Sequence, residues 1–182
     1  RRESVKAGIL LSVTGVLITL IFAGTAAALL CLVCVVSYVM VYTPLKPKTV
    51  LNTLVGTIPG ALPPMIGAAA ASQGIGAHAF ESPIGWAVAG LMTVWQIPHF
   101  LAIAWMHRDD YVRGGHRMLP AVDPTGRVTS LVIVITALLL IPASVAPVLV
   151  EPLLGLPSLI VALLTGLAYL ALCVRLALRR TD

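Results

Sequence analysis

The sequence predicts an all-α, polytopic transmembrane helix bundle of about six spans, and three observations carry that prediction. Of 182 residues, 59% are hydrophobic and only 10% charged, with mean hydropathy +1.01, so hydrocarbon rather than water is the solvent for most of the chain. Apolar stretches of about 17 to 23 residues recur along it, each long enough for a helix to cross a core of about 30 Å. These stretches are continuously apolar rather than alternating, which favours helices over the strands of a closed barrel.

The chain reads as a single membrane domain, 1–182, with spans at 8–24, 26–43, 50–71, 84–106, 129–150 and 157–178. No small-residue cleavage site separates the first span from the second, and similar segments keep following, so it is not a cleavable signal. Beginning at Arg1 rather than Met, directly against a span, the chain is expected to be a piece of a longer protein. The second span holds Cys31 and Cys34 in CxxC spacing, and the last holds Cys173. With no polar neighbour to activate a thiol, the favoured reading is small apolar fillers over redox or metal chemistry.

The third span, LNTLVGTIPGALPPMIGAAAA, contains Gly56, Pro59, Gly60, Pro63, Pro64 and Gly67. Each interior proline removes a helical hydrogen bond, and a carbonyl freed at membrane depth must be buried in protein or face a wet cavity. A deformed helix lining a pocket is the preferred reading, against an ordinary kink packed through its glycines. Pro142 and Pro147 in the fifth span are spread more thinly and read as a kink.

The basic residues set the orientation. Arg1, Arg2 and Lys6, then Lys46 and Lys48, then Arg108, Arg113, Arg117 and Arg127, and finally Arg175, Arg179 and Arg180 all fall on one side of a six-span arrangement. The connectors near Gly24, at 72–83 and at 151–157 have none. By the positive-inside rule the basic side is cytoplasmic, so the net charge of +5 is topological and implies no nucleic-acid partner.

The stretch WQIPHFLAIAWMHRDDYVRGGHRMLP concentrates the charge. If the fourth helix runs unbroken from Gly85 to Tyr111, residues eleven apart differ by roughly 20°, and His99 and Asp110 share a face with Gln96 and Ile103. Asp109 and Asp110 repel unless a shared cation or basic neighbours offset them, and Arg108, Arg113, Arg117, Lys46 and Lys48 are at hand. Carboxylates that hold Mg²⁺ through one or two oxygens, beside arginines and lysines that neutralise phosphate, are the usual means of handling a diphosphate. The alternative is a solvated loop facing lipid headgroups. Gly114 and Gly115 allow close backbone approach or simply end a helix. His99, inside a span, could ligate haem iron, bond a propionate or pair with another helix, and pairing is the commonest fate. His107 and His116 in this loop, and His78 in the outer one, read as solvated or polar contacts.

Two segments, YTPLKPKTVLNTLVGTIPGALPPMIG (42–67) and WQIPHFLAIAWMHRDDYVRGGHRMLPAV (95–122), resemble the most characteristic internal stretches of the haem-modifying branch of the UbiA superfamily of intramembrane prenyltransferases. YTxLKxxT followed by Asn52, then IPGALPP, then WQxPHFxAIAW running into DDYxRxGxxMLP stand in that family's order. The likeness is close over the central half of the chain and extends to the flanking spans only in character.

The resemblance implies a nine-span bundle around a central cavity, in the cell (inner) membrane, of which this chain supplies spans three to eight. A first acidic motif, N-D-x-x-D-x-x-x-D, would then lie upstream of Arg1 and a further span beyond Asp182, and this piece alone would be inactive. It implies that farnesyl diphosphate and haem b become haem o and diphosphate, with water adding to the alkylated vinyl group. Asp109 and Asp110 would hold Mg²⁺, Lys46, Arg113 and Arg117 would hold phosphate oxygens, and His99 and Asn52 would contact porphyrin or phosphate. Trp95 or Tyr111 could stabilise a departing allylic cation. Membrane lipid and a downstream haem-modifying enzyme are the further partners implied. The adjacent acids depart from the superfamily's usual second motif, which has two acids four apart; Gly114 stands four after Asp110. A prenyltransferase for another aromatic acceptor, a transporter and a haem-carrying electron-transfer protein are the rival readings.

Overall fold

A computed structural model describes residues 2–72 and 80–179. Helix α1 (Arg2–Ala23) leads into α2 (Thr25–Val36), which continues through a π-helical turn (Ser37–Tyr42) into α3 (Thr43–Leu45). Then come α4 (Asn52–Ala71), α5 (Pro83–Met106), short α6 (Arg108–Arg113) and α7 (Leu119–Val122), α8 (Arg127–Val150), a 3-10 turn (Pro152–Leu154) and α9 (Gly155–Arg179). No strand occurs among the described residues. Among the described residues, six helical stretches are long and apolar enough to span a membrane, and their ends fall within six residues of the six read from the sequence. His78 and most of the outer 72–83 connector lie outside the described residues.

Each span packs chiefly on the next one in the chain, as short connectors require. Gly24, at φ +90, makes the reversal between α1 and α2 in a single residue. Small side chains then let backbones approach: Ala26 and Ala27 meet Ala69, and a Cβ on Gly85 would lie 2.9 Å from that of Ala68. A second cluster joins Leu101 of α5, Ile133 and Ala137 of α8 and Cys173 of α9. Outward residues such as Leu10, Leu11 and Phe22 on α1 and Leu172 and Leu178 on α9 are exposed, as surfaces solvated by hydrocarbon should be.

Helix α4 runs as one helix from Asn52 to Ala71 with Pro59, Pro63 and Pro64 inside, and it lines a cavity as expected. Its tolerance has a local cause. Pro63 cannot donate to the carbonyl of Pro59 four residues back, and the Cys34 thiol of α2 donates to that carbonyl instead, at 3.3 Å. Cys34 is thus more than an apolar filler. One expectation is corrected: α5 ends at Met106 rather than Tyr111. His107 leaves helical geometry (φ −113, ψ 24) and α6 starts afresh after it. The common stripe of His99 and Asp110 depended on an unbroken helix and is not formed.

The restart is anchored from below. Trp105 is buried, the Arg108 guanidinium lies 5.0 Å from its ring centre, and Gly126, at φ +64, packs against the six-membered edge of the same indole. Helix α8 begins there, and the buried Asp123 carboxylate accepts the Thr129 N–H (2.8 Å), the Thr129 hydroxyl (3.0 Å) and the Thr125 hydroxyl (3.1 Å). Burial pushes the Asp123 pKa up, but these hydrogen bonds outweigh it and hold the group below the usual carboxylate range.

Candidate active site

Two connectors carry most of the charge at one rim, and hydrogen bonds fasten them together. The Arg117 N–H donates to the Lys46 carbonyl at 2.8 Å. The Asn52 side-chain amide donates to the Arg117 carbonyl at 3.0 Å and also to the Thr49 carbonyl. Lys46, Asn52 and Arg117, distant in sequence, therefore meet.

Asp109 and Asp110 occupy the first turn of α6, with side chains 84% and 62% exposed. The Asp110 carboxylate pairs with Arg113 and lies 3.8 Å from His107 Nδ1, and that of Asp109 lies 4.0 Å from Arg108 Nε. Ion pairs this open contribute about 0–1 kcal/mol each. Their consequence is spatial: two adjacent acids lie between two guanidiniums on one short helix. No cluster of three or more His, Cys, Asp or Glu able to hold a metal occurs among the described residues. Two open neighbouring carboxylates nevertheless suit a hard cation such as Mg²⁺, which keeps several waters and shares phosphate oxygens.

Cavities open between the spans, and two of them lie against the central helices α4 and α5, each within the about 300 to 1,000 Å³ typical of small-molecule sites. The first, about 510 Å³, is walled by Tyr38, Tyr42, Gly56, Gly60, Gln96 and Phe100. Lys46 Nζ stands 4.6 Å from the Tyr42 ring centre and 5.7 Å from that of Tyr38, which puts a cation beside this aromatic wall. A π turn winds more slowly than an α turn, and this one brings residues four apart, Tyr38, Tyr42 and then Lys46, into one stripe. Gln96 is buried, its amide donating to the Met92 carbonyl at 2.8 Å while its oxygen faces Gly60. The second cavity, about 830 Å³, lies among α5, α8 and α9 and is almost wholly apolar, with Trp95, Leu140 and Tyr169 in its wall. Its Ser144 and Thr165 hydroxyls donate to backbone carbonyls.

Not every residue singled out from the sequence joins these features. Asp109, Asp110, Arg113 and His99 line neither cavity. His99 stacks on Trp95, ring centres 4.8 Å apart and planes 14° apart. Asn52 is fully buried with its amide committed to backbone carbonyls. Tyr111 packs edge-on to His116, whose buried Nδ1 has no hydrogen-bond partner among the described residues. Sequence reasoning passed over Tyr38 and Tyr42, although the Tyr-x₃-Tyr-x₃-Lys spacing was visible, because an ordinary α-helix would have turned them further from one stripe.

Six helices long and apolar enough to cross a membrane, with cavities between them, define a multi-pass integral-membrane protein. The sequence profile of the UbiA prenyltransferase family matches residues 1–182, and the chain belongs to that family of multi-pass membrane proteins. It is 42% identical over 179 residues to a protoheme IX farnesyltransferase of Solibacter usitatus, covering 96% of this chain and 57% of that protein. It is 52% identical over 114 residues to one from Salinibacter ruber, covering 63% and 38%, and 34% identical over 180 residues to one from Salinispora tropica, covering 97% and 54%. The chain spans about half the length of the curated relatives it matches most fully. No solved structure matches it.

Proposed function

We propose that the protein containing this chain transfers a farnesyl group from farnesyl diphosphate to a vinyl group of haem b, yielding haem o and diphosphate. The observation that carries this reading is the 42% identity, sustained over 96% of the chain, to a protein named protoheme IX farnesyltransferase.

The roles follow from charge and position. The diphosphate sits at the rim, where Lys46, Arg113 and Arg117 offset its charge as the allylic carbon–oxygen bond breaks and the electron pair leaves with the phosphate. Asp109 and Asp110 are the residues that would hold Mg²⁺, whose charge would further neutralise the leaving group. The apolar chain lies in a cavity between the spans, where exclusion of water protects the cation-like carbon until the vinyl π electrons reach it. Water then adds at the neighbouring carbon and loses a proton. Tyr38 and Tyr42, rather than Trp95 or Tyr111, present ring faces beside Lys46 and suit stabilisation of that carbon. The charged rim faces the cytoplasm, as its excess of arginine and lysine favours, and haem o passes to a downstream haem-modifying enzyme.

Membranes containing the full-length protein, supplied with farnesyl diphosphate, Mg²⁺ and haem b, are expected to form haem o, detected by mass and by its altered absorption. Farnesylation of an added aromatic acid with haem b left unchanged would replace haem as the acceptor.

A further inference from the structure

The 46–52 connector and the 107–118 loop are joined through one buried side chain. Asn52 is 0% exposed, and its amide nitrogen donates both to Thr49 in its own connector and to Arg117, 65 positions along the chain. Arg117 in turn donates its N–H to the Lys46 carbonyl at 2.8 Å. The bonds close a ring that contains the backbones of two residues whose side chains are cationic.

We propose that Asn52 is a positioning residue: by clamping Arg117 to the Lys46 connector, it holds two cations at the separation a diphosphate requires, without touching the substrate itself. The inference rests on the diphosphate reading above and assigns Asn52 a different part from direct contact. A fully buried amide already bonded to two carbonyls has no free donor for a ligand. Without the clamp each connector would move independently, and binding would have to pay the ordering of both. The residue type is also constrained. Asparagine offers two donors from one short side chain, whereas aspartate would turn a carboxylate against two carbonyls and alanine would leave the Arg117 carbonyl bare, the Thr49 carbonyl keeping only the backbone N–H of residue 52. Among the described residues the Asn52 oxygen has no hydrogen-bond partner, so the donors alone define its contacts.

The test uses full-length protein in detergent, with inorganic pyrophosphate and Mg²⁺ titrated calorimetrically and KM measured for farnesyl diphosphate and for haem b. Asn52→Ala is expected to bind pyrophosphate about tenfold more weakly, equivalent to about 1.4 kcal/mol, and to raise the farnesyl diphosphate KM similarly while the haem b KM stays put. Asn52→Ser, which keeps one donor, should fall between. Adding Arg117→Ala should cost less in the Asn52→Ala background than in the wild type, because its cation is already displaced. Wild-type affinity in Asn52→Ala, an additive cycle, equal damage to both KM values, or failure of both variants to fold would overturn the clamp alone. A wild type that binds no pyrophosphate overturns the diphosphate reading beneath it.

Discussion

The Cys34 thiol of α2 donates to the Pro59 carbonyl of α4, 3.3 Å away, and that carbonyl is the one Pro63 leaves without a helical partner. Membrane interior offers no water to replace it. Cys34→Val should therefore destabilise the full-length protein by about 1 kcal/mol, while Cys34→Ser, which keeps a donor, should stay close to wild type. Thermal unfolding in detergent distinguishes them, and equal melting of all three would show that the carbonyl does not depend on the thiol.

Gly60 is fixed by Gln96. A Cβ at residue 60 would stand 1.8 Å from Gln96 Oε1, so Gly60→Ala must drive that buried amide off the Met92 carbonyl and into the 510 Å³ cavity. The expected cost is about 1–3 kcal/mol, together with weaker substrate binding. Gln96→Ala in the same chain should recover most of the stability, read from the same melts.

Gly126 has two reasons to be glycine. Its φ of +64 disfavours any Cβ, and that Cβ would lie 2.2 Å from the buried Trp105 ring. Gly126→Ala should cost well beyond the roughly 1 kcal/mol of the left-handed backbone alone, and should displace α6 because Arg108 stacks on the same indole. Tryptophan fluorescence and proteolysis of the 107–118 loop would report it.

These contacts show which parts of the molecule could be read from residues alone. Six spans were legible because twenty-odd apolar residues leave a helix few alternatives in hydrocarbon. The pocket-lining character of α4 was legible from its prolines. What makes them tolerable was not, since the donor to the Pro59 carbonyl that Pro63 leaves free comes from Cys34, 25 positions before Pro59. The end of α5 at His107 escaped too: nothing local stops that helix, and the break is supported by Trp105 packing against Gly126, a contact between distant segments. The acids and cations of the rim were visible as composition. That Asn52 ties Lys46 to Arg117 was not, because a buried asparagine looks the same in sequence whether it meets ligand or backbone.

Asp123 gives the fold a pH dependence with a definite sign. Its folded pKa lies below the unfolded value of about 3.9, so its contribution is present above that value and lost as the pH falls through the lower folded one. The gap in melting temperature between wild type and Asp123→Ala, equivalent to about 1 kcal/mol, should be constant from pH 7 to pH 5 and close under stronger acid. A gap that widened on acidification would contradict the hydrogen bonds to Thr125 and Thr129.

The direct test of a metal-assisted diphosphate site at the α6 rim is farnesyl transfer to haem b by full-length Asp110→Asn, assayed beside wild type at matched levels of folded, membrane-inserted protein. The account predicts haem o formation reduced about a hundredfold or more with an unchanged melting temperature. Haem o produced at the wild-type rate would contradict it.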